Sequence, residues 1–316
     1  MISVRHRGVS FPSISDDSTM LEWLNGRLND DPRLLQEYAI LEALRVPGNK
    51  VVLSQNFSHL GIENSNSWAI RWASDKHPAR DKPDSEVVWF SSSELLNKKV
   101  DGQQSLESLL HWSNVVSSKD RISEVLVVDE EQSVVTYRIL ESNPKGSLRP
   151  PEFNEFRRIS KMKSVDLGDE GVFIIDDGEW KFDAIGLPIH GGRRLENIEY
   201  EIVTSVTNGE TDNLSTSSSI LLDLWSRGLN TRSGFKYGTK WRCYPGDVGE
   251  GHAPWLIVDP TSGNPKNWAE ACLSSRLASG VNKDWLYPIK EDENSWRYLQ
   301  ISRPPSDSRW SNPIRY

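Results

Sequence analysis

SEVLVVDEEQSVVTYRILES (123–142) and DWLYPIKEDENSWRYLQISR (284–303) follow one plan: an apolar strand, an acidic turn, and a second strand carrying Tyr137 or Tyr298. A constant spacing of 161 residues aligns the two stretches. Working upstream, SLESLLHWSNVVS (105–117) corresponds to NWAEACLSSRLAS (267–279). SWAIRWASDKHPARDKPDSEVVWF (67–90) resembles KWRCYPGDVGEGHAPWLIVDP (240–260) when small gaps are allowed, and YAILEALRVPG (38–48) resembles YEIVTSVTNG (200–209). A single acidic hairpin is common in proteins, but several matches in one order indicate an internal repeat. The order helix, strand, loop, strand, helix, strand, strand thus occurs twice. It predicts an α/β fold of α+β character, each copy having a small helix/strand amino-terminal part and a mixed-sheet carboxy-terminal part.

Local signals refine this plan. Leu34, Leu35, Tyr38, Ile40, Leu41 and Leu44 mark a helix closed near Pro47–Gly48. GVFIIDDGEWKF (171–182) reads as a hairpin turning at Asp177–Gly178, and Leu195 to Val206 as a helix stopped by Asn208–Gly209. NLSTSSS (213–219) is a polar connector whose serines can cap a helix starting near Ile220. Asn264 and Pro265 are placed to open the last helix and Gly280 to end it, with Trp268, Cys272, Leu273 and Leu277 as its buried stripe. Pro288, inside the strand that follows, implies an edge or a distortion. PKGSLRPPEFNEFRR (144–158) is the natural boundary between copies. The expected division is 1–143, 144–218 as linker and amino-terminal part of the second copy, and 219–316.

Composition narrows the function classes. With 316 residues, 36% hydrophobic and 26% charged, the chain is globular and long enough for two domains. No apolar run approaches a membrane span and MISVRHRGVSFPS lacks a signal-peptide core, so a cytoplasmic location is the expectation. Cys243 and Cys272 form neither a disulfide framework nor a zinc pattern and read as small core residues. A net charge of -8 argues against indiscriminate coating of nucleic acid but leaves room for a local basic surface. Several of the 13 tryptophans fall on predicted strands, and exposed ones could stack on bases.

One cluster of basic residues is a candidate for such a local surface, readable either as a solvated loop or as a contact for a polyanion. Arg232, Lys236, Lys240 and Arg242 fall in a stretch without a carboxylate, spaced by Gly234 and Gly238. Tyr244 follows at a strand end, His252 closes an Asp/Glu/Gly-rich loop, and Lys283 lies between the last helix and the next strand. These groups suit phosphoryl transfer on RNA. Histidine titrates at about 6.5 and can give up a proton near neutrality, lysine can neutralise charge developing on phosphate oxygens, and a tyrosine with a pKa of about 10 is a usable, if handicapped, base. Spacing alone leaves ordinary readings open: a buried tyrosine, a surface histidine, an exposed lysine. The other histidines show no metal-site spacing, and Asp129–Glu130–Glu131 and Glu291–Asp292–Glu293 read as solvated hairpin turns.

GLNTRSGFKYGTKWRCYPGD (228–247) and SSRLASGVNKDWLYPI (274–289), with His252 between them, resemble the archaeal tRNA-splicing (tRNA intron) endonucleases in their two-repeat homodimeric form; the specific likeness covers roughly 220–303. The resemblance implies Tyr244 as the base that activates the ribose 2′-hydroxyl, His252 as the acid for the departing 5′-oxygen, and Lys283 as the stabiliser of the crowded phosphorane. It implies no cofactor and no metal, a homodimer, and precursor tRNA with bulge–helix–bulge intron junctions as substrate. Products would carry 2′,3′-cyclic phosphate and 5′-hydroxyl ends. Arg276 matches an arginine that stacks on a bulged base, with Arg303 or Arg297 as its companion, and Lys236, Lys240 and Arg242 as further RNA contacts. By the 161 spacing Ile122 stands opposite Lys283, and Arg71 and Trp72 lie in the tyrosine region, so the first copy is expected to be a catalytically dead scaffold. Its loop ASDKHPARDKPD (73–84) would be the cross-subunit docking loop. A non-catalytic structured-RNA-binding or scaffold subunit is the alternative.

Overall fold

The computed structural model describes residues 17–46, 48–63, 66–96, 105–175, 178, 180–263, 265–292 and 295–304. The chain opens with two helices, α1 (Asp17–Asp30) and α2 (Leu34–Arg45), followed by β1 (Lys50–Leu53), β2 (Ala69–Trp72) and β3 (Ser85–Ser91). Helix α3 (Leu106–Ser118) then leads to the hairpin β4 (Ile122–Val128) and β5 (Val134–Ser142). The middle of the chain holds α4 (Phe153–Ser160), β6 (Ser164–Asp166), β7 (Val172–Ile175), β8 (Leu187–Ile189), β9 (Gly192–Leu195) and α5 (Asn197–Asn208). Last come α6 (Thr216–Ser226), β10 (Asn230–Ser233), β11 (Trp241–Tyr244), β12 (Trp255–Ile257), α7 (Trp268–Gly280), β13 (Asp284–Lys290) and β14 (Trp296–Ser302).

Ten of these strands make one mixed sheet in the order β1-β2-β3-β4-β5-β14-β13-β12-β11-β10. The order reads alike from either edge. In each half three strands run antiparallel, a helix crosses over to a parallel partner, and a hairpin leads back to the middle. The halves meet where β5 and β14 pair antiparallel, with Ile139 opposite Ile301. Helices α3 and α7 lie on one face of this sheet and share a single core that crosses the seam. On the other face, α2 covers the first half, while α4, α5, α6 and the small sheet β6-β7-β9-β8 cover the second.

The spacing between the halves is 162 in the structure, not 161. Helices α3 and α7, their caps Ser105 and Asn267, strands β4 and β13, and the Ile139–Ile301 pair are all displaced by that amount. The two tyrosines suggested the other value, but they face opposite sides of the sheet. Tyr137 donates its hydroxyl to the Cys272 carbonyl on α7 at 3.1 Å, whereas Tyr298 donates to Asp223 on α6 at 2.7 Å. A one-residue slip in a strand exchanges its two faces, so the tyrosines are not counterparts. The residue opposite Lys283 is therefore Arg121, not Ile122.

Other boundaries shift for local reasons. Leu195 belongs to β9, and α5 begins at Asn197 after a Glu196/Glu199 capping box. Helix α6 begins at Thr216 because Ser215 caps it and the buried Ser218 hydroxyl bonds the Ile198 carbonyl and Glu201, which makes the polar run a helix face against α5. Helix α7 starts after Asn267, whose side chain accepts from Glu270 N–H; Asn264 lies outside the described residues. Its buried stripe is Trp268, Ala271, Cys272, Ser275 and Ala278, of which the last four are small and let the helix approach the sheet, and Leu273 and Leu277 are exposed. Strand β7 pairs with β6 and β9 instead of folding back on 180–182; Asp177 lies outside the described residues. Pro288 sits where β12 has already ended, so β14 is the strand beside it and its missing N–H disrupts no ladder there.

The Ile139–Ile301 pair gives the seam a direct test. Ile139→Ala and Ile301→Ala should each lower unfolding free energy by about 2–5 kcal/mol. Chemical denaturation of both single variants and the double should show non-additive losses, because the side chains share one core.

Candidate active site

Register brings the three sequence-selected groups to one end of neighbouring strands. Cys243 of β11 faces Trp255 of β12, and Trp255 faces Asp284 of β13. Tyr244 and Lys283 each lie one residue beyond those pairs, on either side of Pro254, and the Asp284 N–H bonds the Pro254 carbonyl at 2.8 Å. Both side chains project to the α7 face, by the alternation of strand side chains with Cys243 and Trp285, which lie in opposite cores. His252 returns to this level at the end of the 245–252 loop. It lines, with Tyr244, an open cleft of about 290 Å³ whose walls also include Ser147, Pro245, Asp247 and Glu250. Lys283 stands beside this cleft and not in its lining. Its ammonium donates to the carbonyl of Ala253, next to His252, and lies 5.6 Å from the ring centre of Tyr237.

Tyr244 is buried and His252 exposed, so a buried phenol and a solvent-facing imidazole line one cleft. The Arg242 guanidinium lies 5.7 Å from the Tyr244 ring centre, and its buried Nε has no hydrogen-bond partner among the described residues. Among the described residues no three His, Cys, Asp or Glu side chains converge as a metal site, and no helix is long and apolar enough to cross a membrane. Tyr237 is not singled out by the sequence, where it is one residue of the GFKYG run inside the resembling stretch 228–247. The signal available was the second aromatic of that run, which the three-residue 3₁₀ turn Phe235–Tyr237 folds back toward Lys283.

The remaining basic residues separate into two groups. Arg276, on the exposed face of α7, and Arg303, just after β14, both act on the Tyr137 hydroxyl: burial pushes that phenol up, and the two cations oppose the rise. Arg297 is instead held by Glu141 through two hydrogen bonds of 2.7 and 2.6 Å, which keep that carboxyl below its ordinary range. By the 162 spacing, Arg276 and Arg303 correspond to Asn114 and Glu141, which bond each other at 2.6 Å. Of the basic stretch before Tyr244, Lys236 is exposed, Lys240 pairs with Glu196 at 3.1 Å, and Arg232 reaches the Asp183 carbonyl at 2.8 Å. Arg232 and Lys240 thus line a hollow against the small sheet, away from the Tyr244 cleft.

The same positions in the first half hold different chemistry. Trp72 ends β2 as Tyr244 ends β11, and it is buried with Phe57 and Ile70 while its indole donates to the Asp81 carbonyl at 2.8 Å. Asp84 takes the place of Pro254, accepting from Ile122 N–H through its carbonyl. Arg121, opposite Lys283, is bound to the buried Glu86 at 2.6 Å.

Residues 216–298 match the family model described as tRNA intron endonuclease, catalytic C-terminal domain. That stretch of the chain is similar to the catalytic domain of the tRNA intron endonucleases. The chain is 30% identical to a tRNA-splicing endonuclease of Thermoplasma volcanium over 56% of its own length and 53% of the relative's. It is 29% identical to a tRNA-splicing endonuclease of Picrophilus torridus over 62% of its length and 60% of the relative's. A tRNA-splicing endonuclease of Methanopyrus kandleri is 28% identical over 25% of this chain and 48% of its own. The chain thus spans between about half and three fifths of the curated relatives it matches. The matched residues include Tyr244, His252, Arg276 and Lys283 and leave Arg303 and Ser147 outside.

The hollow beside the domain yields a pH test. Burial pushes the Glu199 carboxyl up to about 7 from an ordinary 4.5, against the pull of the Gly186 and Glu196 amides that donate to it. Between those values the folded chain holds a proton that the unfolded chain releases, so stability falls as pH rises through that window and levels off above it. Thermal midpoints across this range should show that slope, and Glu199→Gln should flatten it.

Proposed function

We propose that the chain is an RNA-cleaving phosphotransferase that excises introns from precursor tRNA. The observation carrying this reading is the placement of Tyr244 and His252 in one cleft, with Lys283 held against Ala253 beside it, inside the endonuclease domain. Tyr244 takes the proton of the ribose 2′-hydroxyl, whose oxygen attacks the adjacent phosphorus. The bond from phosphorus to the 5′-oxygen breaks, and His252 delivers a proton to that oxygen. Lys283 offsets negative charge on the nonbridging oxygens as the phosphorane forms. The ends are a 2′,3′-cyclic phosphate and a 5′-hydroxyl, and no metal ion has a role in these proton transfers.

Substrate shape fits the rest of the surface. Arg276 and Arg303 can present guanidinium planes to an unstacked bulge base, and Arg303 is favoured over Arg297 because Glu141 occupies the latter. A bulge–helix–bulge junction, with two cuts, then calls for two sites. The first half supplies none, since Trp72 and the Arg121–Glu86 pair occupy the corresponding positions. Two identical chains would supply both, with the 73–84 loop as docking element. Trp72 and Asp84 brace that loop through the Asp81 carbonyl and the Ala73 N–H.

End-labelled bulge–helix–bulge RNA incubated with purified protein in excess chelator should be cut twice, leaving cyclic phosphates. His252→Ala should slow cleavage about 10²–10⁴-fold, and a 2′-deoxy substitution at the scissile nucleotide should abolish it. Binding without cleavage would favour an RNA-binding scaffold subunit, and cleavage only after adding a divalent metal would overturn the mechanism.

A further inference from the structure

The segment between the halves is built into the wall of the cleft. Gly146 N–H donates to the Arg227 carbonyl at 2.9 Å and Leu148 N–H to the Gly228 carbonyl at 3.1 Å. Between them Ser147 gives both of its donors to one acceptor: its N–H at 2.7 Å and its hydroxyl at 3.0 Å reach the Pro245 carbonyl. The strap and the α6–β10 turn touch backbone to backbone. A Cβ on Gly146 would stand 2.0 Å from the Gly228 oxygen, and one on Gly228, whose φ is +75°, would stand 2.5 Å from the Leu148 oxygen. Side chains are excluded on both sides, so the geometry depends on two glycines.

What the strap holds is informative. Pro245 directly follows Tyr244 and begins the loop that ends at His252. Ser147 lines the cleft with both residues, and its Oγ would lie 3.7 Å from a Cβ placed on Gly246. A solvent-exposed loop carries few constraints of its own, and here the fixed point at its start comes from 98 residues earlier in the chain. Ser147 also lies outside the matched 216–298 domain.

We infer that Gly146–Leu148 is a positioning strap for the catalytic loop, in which Ser147 fixes the Pro245 carbonyl so that His252 meets the departing 5′-oxygen. The inference rests on the endonuclease reading and adds to it a residue from the boundary segment. Small displacements of a proton donor are costly to the rate, while substrate binding through distant arginines is untouched. Ser147 therefore acts on turnover, through His252, and not on affinity.

The test uses the full chain, Ser147→Ala, Ser147→Thr and His252→Ala, and two RNAs. One has the natural 5′-oxygen at the scissile phosphate, and in the other sulfur replaces it. In the second RNA the phosphorus–sulfur bond breaks to release a thiolate, which needs no proton from His252. On the oxygen RNA, Ser147→Ala should lower the saturating single-turnover rate roughly tenfold with the half-saturating concentration unchanged, and Ser147→Thr should restore it. On the sulfur RNA the deficits of both Ser147→Ala and His252→Ala should vanish. Ser147→Ala cutting the oxygen RNA like wild type, or losing equally on both RNAs, would overturn the strap's role. Failure of the wild-type chain to cut the oxygen RNA would instead overturn the endonuclease reading itself. Gly146→Ala, which cannot keep the strap in place, should reproduce the same oxygen-specific loss, with thermal midpoints recorded to separate it from unfolding.

Discussion

The antiparallel pairing of β5 with β14 is the constraint on which the rest depends. Each is the last strand of its half, and each would otherwise present an open row of backbone donors and acceptors. Their ladder runs from Arg138–Ser302 to Ser142–Tyr298 and joins the halves into one sheet. Because α3 and α7 pack on the same face, the seam also closes one apolar core, in which residues of both halves are neighbours. The Tyr137 hydroxyl, donated to the Cys272 carbonyl, ties the first half to the helix that carries Arg276. The Arg297–Glu141 ion pair crosses the same seam at the surface. The arginines proposed to meet RNA thus stand on a platform to which both halves contribute.

Much of this was legible from residue pattern. The two acidic hairpins, the preceding helices and their order indicated two halves of like order, since apolar strands with a common turn leave a periodic trace, while their joining into one sheet is seen only in the structure. The candidate site was legible too, because Tyr244, His252 and Lys283 all fall at element ends, where the next residues are Pro245, Ala253 and Asp284. What the pattern did not carry was face. Tyr137 and Tyr298 are alike as residues and each lies on a central strand, yet one packs under α7 and the other bonds Asp223. Aligning identical letters moved the comparison by one position and hid Arg121 behind Ile122. Strand faces are set by what packs above and below, which is tertiary information.

Other misplacements have the same origin. The serine run before Ile220 is polar by composition, but Ser218 is buried because Glu201 and the Ile198 carbonyl accept its hydroxyl. Leu273 and Leu277 are apolar by composition but exposed, because α7 approaches the sheet through Ala271, Ser275 and Ala278. In both helices the fit to a neighbouring element overrides hydropathy. Likewise the segment 144–158 has the proline and charge content of a linker, while its glycine and serine at 146–147 are braced against 227–228 and Pro245.

Joining the halves in one chain changes what kind of quantity the seam's strength is. Between separate subunits, the population of such an interface depends on protein concentration; within one polypeptide it depends on an effective concentration set by the connection. Dilution therefore does not detach β14 from β5, and the domain carrying Tyr244 keeps its partner however scarce the protein becomes. This makes the first half indispensable as a surface even where Trp72 and the Arg121–Glu86 pair stand at the positions of the second half's candidate groups. Its residues on the seam are held to their shapes by the second half, and Trp72 and Arg121 are held by partners within their own half.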